Sequence, residues 1–186
     1  GIIRNSKIVI VEVNEKMPIA LGYESHINIS DVNYIIEGES PELAEFKAAP
    51  ASPEDRRIAE SIVARIRNES TLQLGIGAVP NAIGGLLAES DIRDLGGHSE
   101  VIVDSFMNLY YAGKLTNKKK VDKGLTVYTA AVGSKALYDF IDDNPICCAA
   151  PVDYVNSVHT ISQIDNFISI NSCVGVDLYG QVCSES

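Results

Sequence analysis

The chain has 186 residues, 46% of them apolar and 22% charged, with a formal net charge of −10. That length and apolar content allow one sizeable core, or one domain plus part of another. The acidic balance argues against nucleic-acid binding, which needs a basic face to offset phosphate charge, and no apolar stretch approaches the ~20 residues of a membrane span.

From the N-terminus, residues 7–13 predict a buried strand, with apolar side chains at Ile8, Val9, Ile10, Val11 and Val13. A second β-like segment at 26–29 leads into Ser30 and Asp31, which predict the cap of a short helix running through Ile36. Pro41, Pro50 and Pro53, with alanines between them, mark a linker. Residues 1–50 therefore read as the end of an upstream domain and its linker, and 51–186 as one α/β domain. A strand so near the first residue, and an end just after another strand, suggest a piece of a longer polypeptide.

Beyond the linker the pattern is regular. Ser52 supplies an N-cap, Pro53 sits at the first helical position, and Glu54 and Asp55 place acids in the first turn. Ile58, Ile62, Val63 and Ile66 make one apolar helical face. A strand at 71–74 leads through a glycine turn at 75–81 into a helix ending near Leu87. Gly96 and Gly97 read as a kinked turn that delivers Glu100 to a strand at 100–103. A helix at 106–112 is stopped by Gly113, and a strand at 125–131 precedes a helix at 134–142 capped by Ser134. A strand at 146–149 and a short helix near 157–164 follow. Strands at 167–170 and 174–178 are expected to pair with each other and close the fold. The fold class is α/β, with a largely parallel sheet flanked by helices, preceded by a small α+β segment.

Several features bear on chemistry and compartment. The four cysteines, Cys147, Cys148, Cys173 and Cys183, lack zinc spacing, and no signal-peptide pattern opens the chain. A reduced, cytoplasmic protein without a metal site is the expectation. Lys118, Lys119 and Lys120 read as a solvated loop, with attraction of a ligand phosphate as the sharper alternative. Tyr110, Tyr111 and Tyr138 are expected in core packing, and Asp104, Asp142 and Asp143 at strand and helix ends.

Two turns could hold a site. A strand, Gly75-Ile76-Gly77, then a helix lets a ligand approach bare backbone at a helix N-terminus. Pro80 cannot donate and breaks the dinucleotide fingerprint, which leaves Ile76, Gly77 and Ala78 as donors; a tight turn with no ligand is the competing reading. Glu100 is expected at a strand edge, where open sheets bind ligands. A partly desolvated carboxylate there is a nucleophile toward a thioester or a general base, against the plainer reading of a solvated surface glutamate. His98 could tune it or be a satisfied structural histidine. Ser99 has neither a triad partner at suitable spacing nor a nucleophile elbow, and His26 and His159 lie in unrelated segments.

Several blocks, in order, carry a resemblance: residues 6–9 and 12–14, 72–77, His98-Ser99-Glu100, 122–124, 137–140, 151–156 and 176–182. The chain resembles the acetyl-CoA hydrolase/transferase family of coenzyme A transferases, in particular its 4-hydroxybutyrate and butyryl-CoA:acetate types. The resemblance implies that 51–186 is a C-terminal-type CoA-transferase domain truncated at its end. It implies Glu100 as the catalytic glutamate and Gly75, Ile76, Gly77, Ala78 and Val79 as the loop facing coenzyme A, with the Ile76 N–H donating to the thioester oxygen. Val174 corresponds to a position near coenzyme A. Gly97 departs from relatives that carry a larger apolar residue there, which would loosen the turn. The implied reaction moves coenzyme A between a short-chain acyl-CoA and a free carboxylate through a glutamyl-CoA thioester. It needs no metal and no tightly bound cofactor, and its partners are acyl-CoA and a short carboxylic acid, with no nucleic acid and no membrane. The full-length protein is expected to be longer, homo-oligomeric, and to supply a second oxyanion donor beyond Ser186. Acyl-CoA hydrolysis on the same scaffold, or an inactive CoA-binding or interface fragment, are the alternatives.

Overall fold

A computed structural model describes residues 2–47 and 49–184. Its N-terminal part packs loosely. Helix α1 (Ile2–Asn5) precedes strand β1 (Ile10–Val13), and a 3-10 turn at Ile29–Asp31 precedes strand β2 (Tyr34–Glu37), which pairs in parallel with β1. The expected buried strand at 7–13 is thus shorter and not buried, with Ile10 59% exposed. Residues 26–28 form no strand, and the expected helix through Ile36 is a strand instead. Asn28, rather than Ser30 or Asp31, caps a single turn by accepting the Ser30 N–H at 3.0 Å. The aromatic and β-branched run Tyr34, Ile35, Ile36 then favours an extended chain.

The rest alternates as the sequence predicts. Helix α2 (Pro53–Val63) leads to β3 (Thr71–Leu74), α3 (Ala78–Glu89), β4 (Gly96–Ile102), α4 (Asp104–Tyr111), β5 (Thr126–Ala131) and α5 (Lys135–Ile141). Strand β6 (Cys147–Ala149), the single turns α6 (Val152–Val155) and α7 (Val158–Ile161), and β7 (Phe167–Ile170) follow, with a ribbon of β8 (Gly175–Val176) and β9 (Val182–Cys183) at the end. The main sheet has the order β6-β5-β4-β3-β7, and every neighbouring pair is parallel. Strand β7 does not pair with the 174–178 segment. It joins β3 in the register Leu72↔Ile168 and Leu74↔Ile170, which seats both isoleucines against the core, whereas β8 pairs antiparallel with β9.

Local chemistry explains most boundaries. Ser52 and Asp55 form a reciprocal capping box at the start of α2. The buried face of α2 uses Ala59 with Ile62, Val63 and the following Ile66; Ile58 is 50% exposed and lies off it. Ser134 caps α5, accepting the Leu137 N–H, and Gly113 follows α4 with φ 69°. Gly96 and Gly97 lie inside β4, not in a turn; the left-handed residue that reverses the chain is Asp94, at φ 62°. A Cβ at Gly96 would fall 2.8 Å from Thr71 Oγ1, and one at Gly97 2.7 Å from Thr126 Cγ2. The two glycines therefore permit close strand packing, and Gly97 does not loosen a turn.

Strand alternation divides the sheet into two faces. Leu72, Leu74 and Tyr128 look toward α2–α5 and a core that includes Ile83, Leu87 and Phe106. Each such fully buried side chain contributes about 1.5–3 kcal/mol. On the other face, Val127 and Cys148 pack with Ala150 and Val155 under α6. Residues 19–23 run along the outer edge of β6: the Ala149 N–H donates to Leu21 O at 2.8 Å, and the Tyr23 N–H to Ala149 O at 2.8 Å.

Other expectations are corrected. Tyr110 and Tyr111 are 40% and 71% exposed, resting on Phe140 at the surface rather than in the core, and the Tyr138 hydroxyl donates to Ala44 O. The lysine run is a solvated loop at Lys118 and Lys120, whose side chains are 58% and 78% exposed, but not at the half-buried Lys119. Lys118 pairs with Asp94 at 2.9 Å and Lys120 with Asp165 at 2.6 Å, while Lys119 Nζ donates to the carbonyls of Val121 and Asp122. Among the described residues no helix is long and apolar enough to cross a membrane.

Candidate active site

Strand order reverses at β3, with β4, β5 and β6 stacked successively on one side and β7 on the other. Such a reversal leaves a crevice at the carboxyl ends of the strands. Here it is opened by a splay. Strands β3 and β4 pair at Thr71↔Gly96 and Leu72↔Gly97. Beyond that, the Ser99 hydroxyl takes over the backbone of Leu74, accepting its N–H and donating to its carbonyl, each at 3.3 Å. Ser99 is a buried strap between strands, which accounts for its lack of a catalytic partner.

Two-residue periodicity puts His98 and Glu100 on the α6 face of β4, with Gln73 of β3 and Ser169 of β7 alongside in register. With Asn156 and Asn171 these residues line a cavity of about 220 Å³. Glu100 is exposed, and its Oε2 accepts a hydrogen bond from Asn156 Nδ2 at 2.6 Å. Gln73, Ser169 and Asn171 close on one another: Asn171 Nδ2 donates to Gln73 Oε1 at 2.8 Å and to Ser169 Oγ at 3.0 Å, and Gln73 Nε2 donates to Asn171 Oδ1 at 3.0 Å. His98 is buried beneath, with Nε2 donating to Val155 O at 2.8 Å. Burial pushes its pKa below the ordinary value, against the opposing pull of the Val155 carbonyl, so the ring is neutral at pH 7. The site thus combines one carboxylate with neutral polar neighbours.

The glycine loop begins beside this cavity and turns away from it. The Gly75 N–H donates to Ile170 O at 2.9 Å, and a Cβ on Gly75 would lie 3.2 Å from Asn171 Oδ1. Gly77 caps α3 at φ 133°, a conformation that favours glycine. Ala78 and Val79 are the first residues of α3 rather than part of a loop. Among the described residues the N–H groups of Ile76, Gly77, Ala78 and Val79 have no hydrogen-bond partner, as expected for the first turn of a helix, where Pro80 is also tolerated. Ile76 is 42% exposed. Ile76 and Gly77 line a separate shallow hollow with Phe46, Asn81 and Asp104. Val174 is 68% exposed, donates its N–H to Cys183 O, and lines neither space. Of the residues singled out from sequence, Glu100 and His98 share the cavity, Gly75 reaches it through Asn171, and Ile76, Gly77 and Val174 stand outside it.

Sequence reasoning missed Gln73, Asn156 and Asn171. Gln73 carried a signal, as a polar residue between Leu72 and Leu74 in a short apolar strand. Asn156 lies 56 residues from Glu100, and only the passage of α6 over β4 brings them together.

A family model described as the acetyl-CoA hydrolase/transferase C-terminal domain matches residues 133–186. The butyryl-CoA:acetate CoA-transferase of Anaerostipes caccae is 48% identical over 100% of this chain and 42% of its own length. The 4-hydroxybutyrate coenzyme A transferase of Clostridium kluyveri is 46% identical over 98% of this chain and 42% of its own. Among solved structures, RipA from Yersinia pestis matches with a TM-score of 0.92 at 39% identity, covering 98% of this chain and 42% of that one. The chain therefore spans about 42% of the length of these relatives. Sequence likeness along the whole chain, a shared fold and a matching domain model agree: the chain belongs to the acetyl-CoA hydrolase/transferase family.

Proposed function

We propose that, within the full-length polypeptide that carries it, this chain supplies the nucleophile for moving coenzyme A from a short-chain acyl-CoA to a free carboxylate. The observation that carries this reading is the exposed carboxylate of Glu100, held by Asn156 over a neutral polar cavity at the carboxyl ends of a parallel sheet. In this reading Glu100 attacks the thioester carbonyl; the C–S bond breaks, a thiolate leaves and an acyl-glutamyl anhydride remains. The thiolate then adds to the glutamyl carbonyl, expelling the first acid as its carboxylate and leaving a glutamyl-CoA thioester. A second carboxylate reverses both steps, so thioester energy is conserved without a nucleotide. Negative charge gathers on the carbonyl oxygen at each addition. The resemblance to the family, rather than the lining of the cavity, assigns the free N–H of Ile76 to that oxygen and Gly75, Gly77, Ala78, Val79 and Val174 to coenzyme A. Loss of one oxyanion donor typically lowers kcat by about 10²–10³. The free thiols of Cys147, Cys148 and Cys173 accord with a reducing cytoplasm.

Hydrolysis is the second reading, favoured by the exposure of Glu100 to water. Borohydride added to the full-length protein with acyl-CoA should reduce a glutamyl thioester at Glu100 and leave a free carboxylate untouched. Glu100→Gln should abolish exchange, since an amide is a poor nucleophile; near-normal transfer by that variant would overturn the assignment. Fast thiol release indifferent to added carboxylates would establish hydrolysis instead.

A further inference from the structure

We propose that His98 is a positioning residue for Glu100, acting through Val155 and Asn156 without touching the reacting atoms. The proposal rests on Glu100 being the nucleophile of CoA transfer. Two rungs join β4 to the end of α6. His98 Nε2 donates to Val155 O at 2.8 Å, and two residues further along β4, Glu100 Oε2 accepts from Asn156 Nδ2 at 2.6 Å. The rungs start from alternate residues on one face of a strand and end on consecutive residues of the partner segment. Fixing the first therefore constrains the second.

The segment needs that constraint. Helix α6 is a single turn of four residues, too short to hold its own shape. Asn156 follows it, exposed, with its N–H on Val152 O at 2.8 Å. The turn is anchored at one side by the Tyr154 hydroxyl on Asp122 and, next to Asn156, by Val155, which is 1% exposed and packed with Val127 and Cys148. The His98 ring is itself fixed, buried at 1% exposure and set edge-on to Phe167 at 6.1 Å and 76°. Its other nitrogen, Nδ1, has no partner among the described residues, so the Val155 carbonyl is the one hydrogen-bond contact seen for this imidazole. Because Asn156 holds one carboxylate oxygen, it determines which way the other faces. A displacement of about 1 Å in such an arrangement can lower a rate by about 10²-fold.

The test uses full-length protein and steady-state CoA transfer between acetyl-CoA and butyrate. His98→Phe should lower kcat by about 10- to 100-fold while KM for acetyl-CoA stays within about twofold. His98→Gln, whose amide nitrogen can replace Nε2 as donor to Val155, should recover most of that loss, whereas the shorter His98→Asn should not. Combined with Asn156→Ala, His98→Phe should add little further loss, because both act through one contact. Multiplicative losses in the double variant, or equal losses in the Gln and Asn variants, would overturn the proposal even if the Phe variant folds poorly. A wild-type protein that moves no CoA, or a Glu100→Gln variant that still does, would instead overturn the transferase reading and this inference with it.

Discussion

Replacing Asn117 by alanine tests how β4 is held before β5 begins. Asn117 is 2% exposed; its Oδ1 accepts the Gly97 N–H at 2.8 Å and its Nδ2 donates to Thr126 Oγ1 at 3.0 Å. The side chain thus stands in for a strand partner just ahead of the first β4–β5 pair, His98↔Val127. Alanine would leave the buried Gly97 N–H unsatisfied, at about 1–3 kcal/mol, and remove a second hydrogen bond worth about 0.5–1.5 kcal/mol. Asn117 is also left-handed, at φ 52°, where alanine adds about 1–2 kcal/mol. The sum is roughly 3–6 kcal/mol. Glycine at 117 loses the same hydrogen bonds but escapes the backbone strain, so Asn117→Gly should be about 1 kcal/mol more stable than Asn117→Ala. Urea unfolding followed by circular dichroism, with m unchanged, measures both differences. An alanine variant within about 0.5 kcal/mol of wild type, or a glycine variant less stable than it, would refute this reasoning.

Lys119 gives a pH signature: burial, opposed by the attraction of Asp122, pulls its pKa from 10.5 to about 8. At this site the unfolded chain binds more protons between these values, so the Lys119 contribution to stability should rise from pH 8 to pH 10 by at most roughly 2–3 kcal/mol, while Cys147 and Cys148, held protonated by burial, oppose it above about pH 9. Above that, tyrosines held protonated by the fold, such as Tyr23 with its pKa raised to about 12, reverse the trend. Lys119→Met should lower the slope of urea midpoint against pH over this window relative to wild type; an unaltered slope would contradict it. Helix α3 carries two adjacent glycines with opposite expectations in a thermal melt. Gly84→Ala would place a Cβ 2.4 Å from Ser105 Oγ and should destabilise by about 1–3 kcal/mol, whereas Gly85, with nothing within 4 Å, should gain about 0.5–1 kcal/mol on the same change.

The parts of the fold legible in the sequence are those written in local chemistry. Ser52 with Pro53, Ser134 and Gly113 mark helix ends through contacts within a few residues, and the structure follows them. The errors arise where the meaning is tertiary. Two successive glycines at 96–97 look like a turn, yet they are required because Thr71 and Thr126 approach from neighbouring strands. The 167–170 strand looks like half of a hairpin, and only the burial of Ile168 and Ile170 against β3 shows its parallel partner. In the site, Glu100 stood out because it follows glycines and opens an apolar run, and His98 shares its strand face by simple alternation. Asn156 and Asn171 come from segments whose approach depends on strand order, which no local pattern encodes.

The hydrogen-bonding edges of the main sheet are unequal. One is occupied, because Leu21 and Tyr23 take both backbone groups of Ala149, with Gly22 pressed so close that a Cβ there would fall 2.0 Å from the Ala149 carbonyl. Among the described residues no strand lies on the outer edge of β7. An open edge is a template for another chain, but a sheet with a single open edge cannot grow from both sides. Strand pairing between two such molecules would use both available edges at once and close as a two-fold pair rather than extend into a filament. Among the described residues the laid-down segment at 19–23 thus acts as a terminator on the β6 side, leaving β7 as the side on which this sheet can accept a further strand.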